Sequence, residues 1–290
     1  VGRASAKTTQ VQFPAEVDKQ IKAIFKDKPA LTINSIVGFS STTTSIESPA
    51  VNFTLPEQKG SVKWQGLTGH FTANKLGSST GKAELSMPGI SFTGADGESG
   101  EMLDLKLTSD SSNDETGFGL GDGAFSIASI KAKKAGEVDM MISNIQVKSS
   151  TKTNKEFVDV LQALTVKQIT VNNKSYGPVD FDMAVNHLHI PSMKKVKADM
   201  DSMNMHACNP STPAAEKAVE ALTKSMAALL AQAPEVNINK LNAKFPEGEA
   251  KMSAKATVKD FNEGDIAALK RGETAVILMK FTAEAQASAP

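Results

Sequence analysis

The spacing of apolar residues along the chain changes period more than once. Val17, Ile21, Ile24 and Phe25 recur at intervals of three and four, which predicts a short amphipathic helix over Phe13 to Lys26. Asp27-Lys28-Pro29 ends it, because a residue before proline avoids the α region. From Ala30 the period falls to two and holds for about 150 residues. Leu31 to Ile36, Val51 to Leu55, Ser61 to Trp64, Ala83 to Met87 and Ile90 to Phe92 read as strands. So do Met102 to Leu107, Phe118 to Phe125, Ile127 to Ala132, Val138 to Val147, Leu164 to Val171 and Val179 to His189. Polar turns separate several of them, among them Gly77-Ser78-Ser79-Thr80-Gly81, Ser111-Ser112-Asn113-Asp114 and Asn172-Asn173-Lys174, which predicts an antiparallel meander. Gln65-Gly66 shifts the parity of the alternation, as a bulge does.

The last third restores the helical period. Met193, Val196, Met200 and Met203 predict a helix over Met193 to Met205, closed by Asn209-Pro210-Ser211. Thr212-Pro213 opens another: a hydroxyl at the N-cap, proline at the first helical position and Glu216 in the first turn. Its stripe of Val219, Leu222, Met226, Leu229 and Leu230 carries it to about Gln232. Val236 to Leu241 and Ala250 to Val258 alternate around Pro246-Glu247-Gly248, a hairpin. Ile266 to Leu269 reads as a helical turn, Ala275 to Phe281 as a strand, and the Ala/Ser/Pro tail as frayed. The fold class is mainly β (α+β): a long curved antiparallel β-meander with a short N-terminal helix and a few covering helices in the C-terminal third. One elongated domain is expected over residues 1–290, the meander filling 1–190 and the helices and hairpin of 191–290 packing on the same sheet.

Composition narrows the function classes. The 290 residues carry Lys+Arg 32 against Asp+Glu 32, and this neutrality weighs against a nucleic-acid binder, which leaves a basic footprint. Aromatic residues make up only 5%, with Trp64 and Tyr176 each alone of their kind. Cys208 is the sole cysteine, so no intramolecular disulfide forms. The longest aliphatic runs, Ala227 to Ala231 and Ala275 to Met279, fall far short of the ~20 residues that span a bilayer. The start, Val1-Gly2-Arg3-Ala4-Ser5, has neither an initiator Met nor a signal pattern, so a longer protein is expected.

Candidate chemistry is sparse. His187 and His189 alternate onto one face of a strand, with His206 and Cys208 following, and three imidazoles with a thiolate make a tetrahedral zinc set. The same residues also describe solvent-facing histidines at a strand end beside a small thiol, with no obvious carboxylate to orient the rings. Gly117 to Gly123 is glycine-rich but no helical period follows it, so a flexible or bulged strand is read there rather than a phosphate cradle. Asp199 with Asp201, and Glu98 with Glu101, read as solvated acids, and His70 as a surface residue. No nucleophile elbow or phosphate loop is present, and no cofactor is expected.

The order of segments resembles the YdgA-like family of Gram-negative envelope proteins, formerly filed as a domain of unknown function. Pro29-Ala30-Leu31-Thr32-Ile33-Asn34-Ser35-Ile36-Val37-Gly38-Phe39-Ser40 carries the resemblance. Gly66-Leu67-Thr68-Gly69-His70-Phe71-Thr72-Ala73-Asn74 and Gly81-Lys82-Ala83-Glu84-Leu85-Ser86 continue it. Lys174-Ser175-Tyr176-Gly177-Pro178-Val179 and Pro234-Glu235-Val236-Asn237-Ile238 follow in the same order. It implies a periplasmic body, tethered to the inner membrane by a segment absent from this chain, and no catalytic residues.

These readings together predict a non-enzymatic envelope protein whose apolar sheet face binds lipid or acyl chains or acts as a scaffold. A protein–protein or adhesin-like module, paired with an envelope partner or with itself through exposed sheet edges, is the alternative. A zinc-dependent enzyme using His187, His189, His206 and Cys208 is the third.

Overall fold

The computed structural model describes residues 4–8, 14–26, 28–55, 60–73, 80–113, 119–134, 138–205, 212–273, 275 and 279–289. It opens with β1 (Ala4–Thr8), α1 (Ala15–Phe25), β2 (Thr32–Val37), β3 (Thr42–Ser48), β4 (Val51–Leu55), β5 (Gly60–Trp64) and β6 (Leu67–Ala73). The long strands follow: β7 (Gly81–Thr93), β8 (Ser99–Asn113), β9 (Gly119–Lys134), β10 (Val138–Asn154), β11 (Phe157–Val171), β12 (Lys174–Tyr176) and β13 (Val179–His189). The C-terminal part contains α2 (Ile190–Met205), α3 (Pro213–Leu230), β14 (Glu235–Phe245), β15 (Gly248–Val258), α4 (Glu263–Lys270) and β16 (Phe281–Ser288).

All the described strands belong to one open sheet, and every pairing in it is antiparallel. The accessible surface is 18532 Å², roughly half as much again as the ~12,000 Å² that surface scaling gives a compact monomer of 30.6 kDa. The excess is what a sheet without a second layer produces.

The register reveals a crease. In β8 and β9, Leu103 pairs with Ser129 and Leu105 with Ile127, yet Asp104 and Ala128 between them are unpaired. The same omission falls at Pro88 opposite Asp104, at Ala128 opposite Asn144, and at Asn144 opposite Lys167. Towards β3 the row continues through the gap at Gln65-Gly66 and the gap at Pro49-Ala50, so β3 with β4, and β5 with β6, are long strands interrupted on this line. No residue is inserted: Trp64 with Ile90 and Thr68 with Ser86 keep one register across the gap. The expected bulge at Gln65-Gly66 is therefore an in-register break.

Its causes are local. Pro88 has no amide hydrogen to give, and Gly66, Asp104 and Asn144 stand at φ 93, 55 and 56, in the region that glycine and short polar residues reach most easily. A β-carbon on Gly66 would lie 2.9 Å from the Ser48 carbonyl oxygen. The apolar positions change parity at the same line. Leu85 and Met87 lie before it and Ile90 and Phe92 after it in β7, and Ile127 before it and Ile130 after it in β9. This explains one mistaken boundary. Phe118 to Phe125 and Ile127 to Ala132 looked like two strands, but Gly119–Lys134 is a single strand crossing the crease. We expect Asn144→Val to cost about 1–2 kcal/mol in urea denaturation, because a β-branched residue resists φ near 56, while Asn144→Gly stays within about 0.5 kcal/mol.

The closed core sits at the C-terminal end. Val158 and Ala184 of the sheet, with Ile190 and Val196 of α2 and Ala215, Ala218 and Ala227 of α3, are buried. Ala227, Val258 and Phe261 form a cluster against which Leu230 and Ile266 pack. Thr212 caps α3 as expected, its Oγ1 accepting the Ala215 amide at 3.2 Å. The buried side of α3 is nevertheless its small one: Ala215, Ala218, Ser225 and Ala227 are buried, while Val219 and Met226 of the expected stripe are exposed. Small residues let α2 and α3 approach closely.

Other boundaries moved as well: Ala83 to Met87 and Ile90 to Phe92 are one strand, Gly81–Thr93, and the strands expected at Val138 to Val147 and Leu164 to Val171 run over Val138–Asn154 and Phe157–Val171. Ser111 to Asn113, expected in a turn, continue β8. The helical turn at Ile266 to Leu269 extends to all of α4. The last strand begins at Phe281, where the one expected from Ala275 was to end, and runs through the tail expected to fray.

Candidate functional site

Alternation in so many paired strands stacks apolar residues into rows that cross the sheet. One row runs Ile33, Ile46, Gly69, Leu85, Leu107, Phe125, Val147, Leu164, Phe181, Leu241 and Met252, each residue directly opposite the next. Beside it, two residues along each strand, lie Met87, Leu105, Ile127, Ile145, Val166 and Val179. Directly opposite residues project from the same side of an antiparallel sheet, so the two rows form one apolar band. Almost all of it is aliphatic, which is where the low aromatic content goes.

The described helices pack against β4, β13, the end of β15 and one another, away from the middle of the band. Leu107 keeps 36% of its surface exposed, and Leu85, Phe125, Val147 and Leu164 are half-buried by their neighbours in the sheet. Only next to the crease does the band close: Met87 and Ile127 are each 7% exposed.

The opposite side of these strands carries the charge. A concavity of about 700 Å³ crosses it from β7 to β14, lined by Lys82, Glu84, Asp110, Asp122, Lys148 and Asp182 among others. Lys82 pairs with Asp110 at 3.5 Å, and further across the sheet Lys240 reaches Asp180 at 2.7 Å. The Asp180 hydrogen bond holds the Lys240 ammonium above its ordinary pKa, and Lys251, then Asn242, hold the Glu249 carboxyl below the usual range. Opposite charges that neutralise each other along a wetted face stabilise it in water. Leu161, Ala124 and Ala163 also line this concavity, but only the band runs as a continuous apolar row across the sheet, so the band is the candidate site.

The histidines lie at the far end of β13. Pairing of β11 with β13 shifts by a residue between Val158 and Val160, and the resulting bulge holds His187 at φ 61. Asp159 Oδ1 accepts the His187 amide at 2.9 Å and fixes the bulge. Strict alternation therefore does not reach His187. Both imidazoles instead lie against Phe157, His187 stacked at 3.8 Å between ring centroids and His189 tilted at 5.4 Å. His189 Nδ1 and Ser192 Oγ are 2.8 Å apart. His206 and Cys208 lie outside the described residues. Among the described residues no group of three or more His, Cys, Asp or Glu is placed to hold a metal ion. Of the acid pairs, Glu101 binds Lys131 at 2.9 Å and Asp201 binds Lys197 at 2.6 Å, both near the surface, but Asp199 is not the solvated acid expected: its Oδ2 is buried without a hydrogen-bond partner.

Sequence reasoning found the alternation and one of its parity breaks but not the band, because rows appear only once the register aligns the strands. The parity breaks at Gln65-Gly66, Pro88, Asp104, Ala128 and Asn144 were the available signal for the crease, had they been compared between strands.

No curated protein and no solved structure matches the chain. A family model described as "Bacterial protein of unknown function (DUF945)" matches residues 1–290. The chain belongs to that family, in agreement with its resemblance to the YdgA-like proteins.

Proposed function

We propose that this protein is a non-enzymatic component of the bacterial envelope that holds acyl chains against the apolar band of its sheet. The observation that carries the reading is the unbroken row from Ile33 to Met252 with no described layer over its middle. Apolar surface left in water is unfavourable by about 25 cal/mol per Å², and extended exposed patches mark binding surfaces. A lining that is aliphatic apart from Phe125 and Phe181 matches an aliphatic ligand better than a ring system. A periplasmic location and a tether to the inner membrane belong to the same proposal and rest on the YdgA-like resemblance. No described helix is long and apolar enough to cross a membrane.

The dimensions indicate the stoichiometry. Ten inter-strand steps separate Ile33 from Met252, so the row is roughly 50 Å long at about 4.8 Å per step. A chain filling one leaflet of a ~30 Å hydrocarbon core reaches about 15 Å. The band therefore accommodates more than one acyl chain end to end. Native mass spectrometry of protein prepared without detergent should show mass additions of acyl lipids, with more than one per protein after incubation with a long-chain fatty acid. Bare protein under both conditions refutes the proposal.

A further inference from the structure

Among the described residues the sheet ends on β16, which pairs with β15 and with no other described strand, and is exposed at every one of its eight residues. Edge strands are normally blunted by lysine, proline, a bulge or brevity. The segment Phe281-Thr282-Ala283-Glu284-Ala285-Gln286-Ala287-Ser288 has no lysine or proline, and it keeps one register with β15 along its whole length.

The phase of the hydrogen bonds shows which groups face outward. The Lys259 amide donates to the Lys280 carbonyl at 2.8 Å, in the same register as the β15–β16 ladder. Bonded pairs then fall at Lys280, Thr282, Glu284, Gln286 and Ser288, since the pattern alternates. The backbone groups of Phe281, Ala283, Ala285 and Ala287 are left pointing away from the sheet. Those residues sit opposite Val258, Ala256, Ala254 and Met252, so their side chains continue the apolar face while Thr282, Glu284, Gln286 and Ser288 continue the polar one.

We propose that β16 is a homodimerisation strand, pairing antiparallel with β16 of a second copy about a two-fold axis at Ala285. That register sets Ala285 opposite itself and Ala283 opposite Ala287, matching outward amides to outward carbonyls and apolar side to apolar side. It also sets Glu284 opposite Gln286. Glu284 is the only charged residue of the strand, and the register centred one residue earlier would oppose it to its own copy, which is destabilising. A register centred one residue later forms a shorter ladder. A second copy is thus the partner whose hydrogen-bond phase, side-chain faces and charge all match this edge. Its joining makes one continuous sheet of two chains.

The test uses the full chain in a Cys208→Ser background. Sedimentation should give a dimer at micromolar to submillimolar concentration. Ala285→Cys should oxidise to a disulfide-linked dimer at least tenfold faster than Ala283→Cys, because only position 285 meets itself within disulfide range. Ala285→Pro removes an outward amide without touching the β15 ladder, and Ala285→Lys keeps the amide but opposes two ammonium groups. Both should weaken dimerisation more than tenfold with an unchanged circular dichroism spectrum. A protein that sediments as a monomer throughout overturns the proposal. So does a dimer that both folded variants preserve, or one that links through position 283 as readily as through 285.

Discussion

Leu107→Lys should abolish acyl-chain binding while leaving the protein folded. Leu107 occupies the middle of the apolar row, between Leu85 and Phe125, and is 36% exposed. Covering such a side chain with a ligand gains a share of the roughly 1.5–3 kcal/mol that full burial of a leucine is worth. A lysine there forfeits that gain, and its ammonium must lose water or displace the chain. The combined loss corresponds to at least a tenfold weaker affinity in a fluorescent fatty-acid titration. In the absence of ligand the lysine head reaches solvent from the open face, so stability should change by no more than about 1 kcal/mol. Lys106→Ala, one residue away on the charged face, should bind as the parent does. Equal affinity for parent and Leu107→Lys would place the ligand elsewhere.

Phe261→Ala should have the largest effect on stability. Phe261 is 4% exposed and packs with Ala227 and Val258, with Leu230 and Ile266 around them. This cluster joins α3, the end of β15 and α4. Deleting a buried phenyl ring typically costs about 3–5 kcal/mol, the transfer term plus a cavity that relaxes only partly. Total stabilities of about 5–15 kcal/mol leave little reserve. The urea midpoint should fall accordingly, and a loss below about 1 kcal/mol would show that the cluster is not a centre of stability. Leu107→Lys and Phe261→Ala thus separate the two surfaces: one removes binding at little structural cost, the other does the reverse.

Much of this architecture was legible in the chain. Val51 to Leu55, and the hairpin around Pro246-Glu247-Gly248, alternate so strictly that register and face follow from the pattern. Thr212-Pro213 located a helix start to the residue, because a hydroxyl cap and a proline at the first position act through local chemistry alone. Illegibility had physical causes too. In Phe281–Ser288 the apolar side is mostly alanine, whose small side chains give alternation almost no amplitude, so an edge strand looked like a frayed tail. In α3 close packing selected Ala215, Ala218 and Ser225 over the greasier Val219 and Met226, so the hydrophobic stripe held at the half-buried Leu222, Leu229 and Leu230 and failed at the other two positions. The bulge at His187 depends on Asp159, 28 residues earlier in sequence, and no local pattern could announce it. The apolar band was legible only as alternation, since its continuity is a property of the register.

The most direct measurement is photocrosslinking with a fatty acid bearing a diazirine near its methyl end, followed by peptide mapping. If acyl chains lie on the apolar band, labelling concentrates on Leu85, Leu105, Leu107, Phe125, Val147 and Leu164, and excess unlabelled fatty acid competes it away. Labelling that falls instead on the charged face around Lys82, Asp122 and Lys148, or on the helices alone, would contradict the assignment of the band as the binding site.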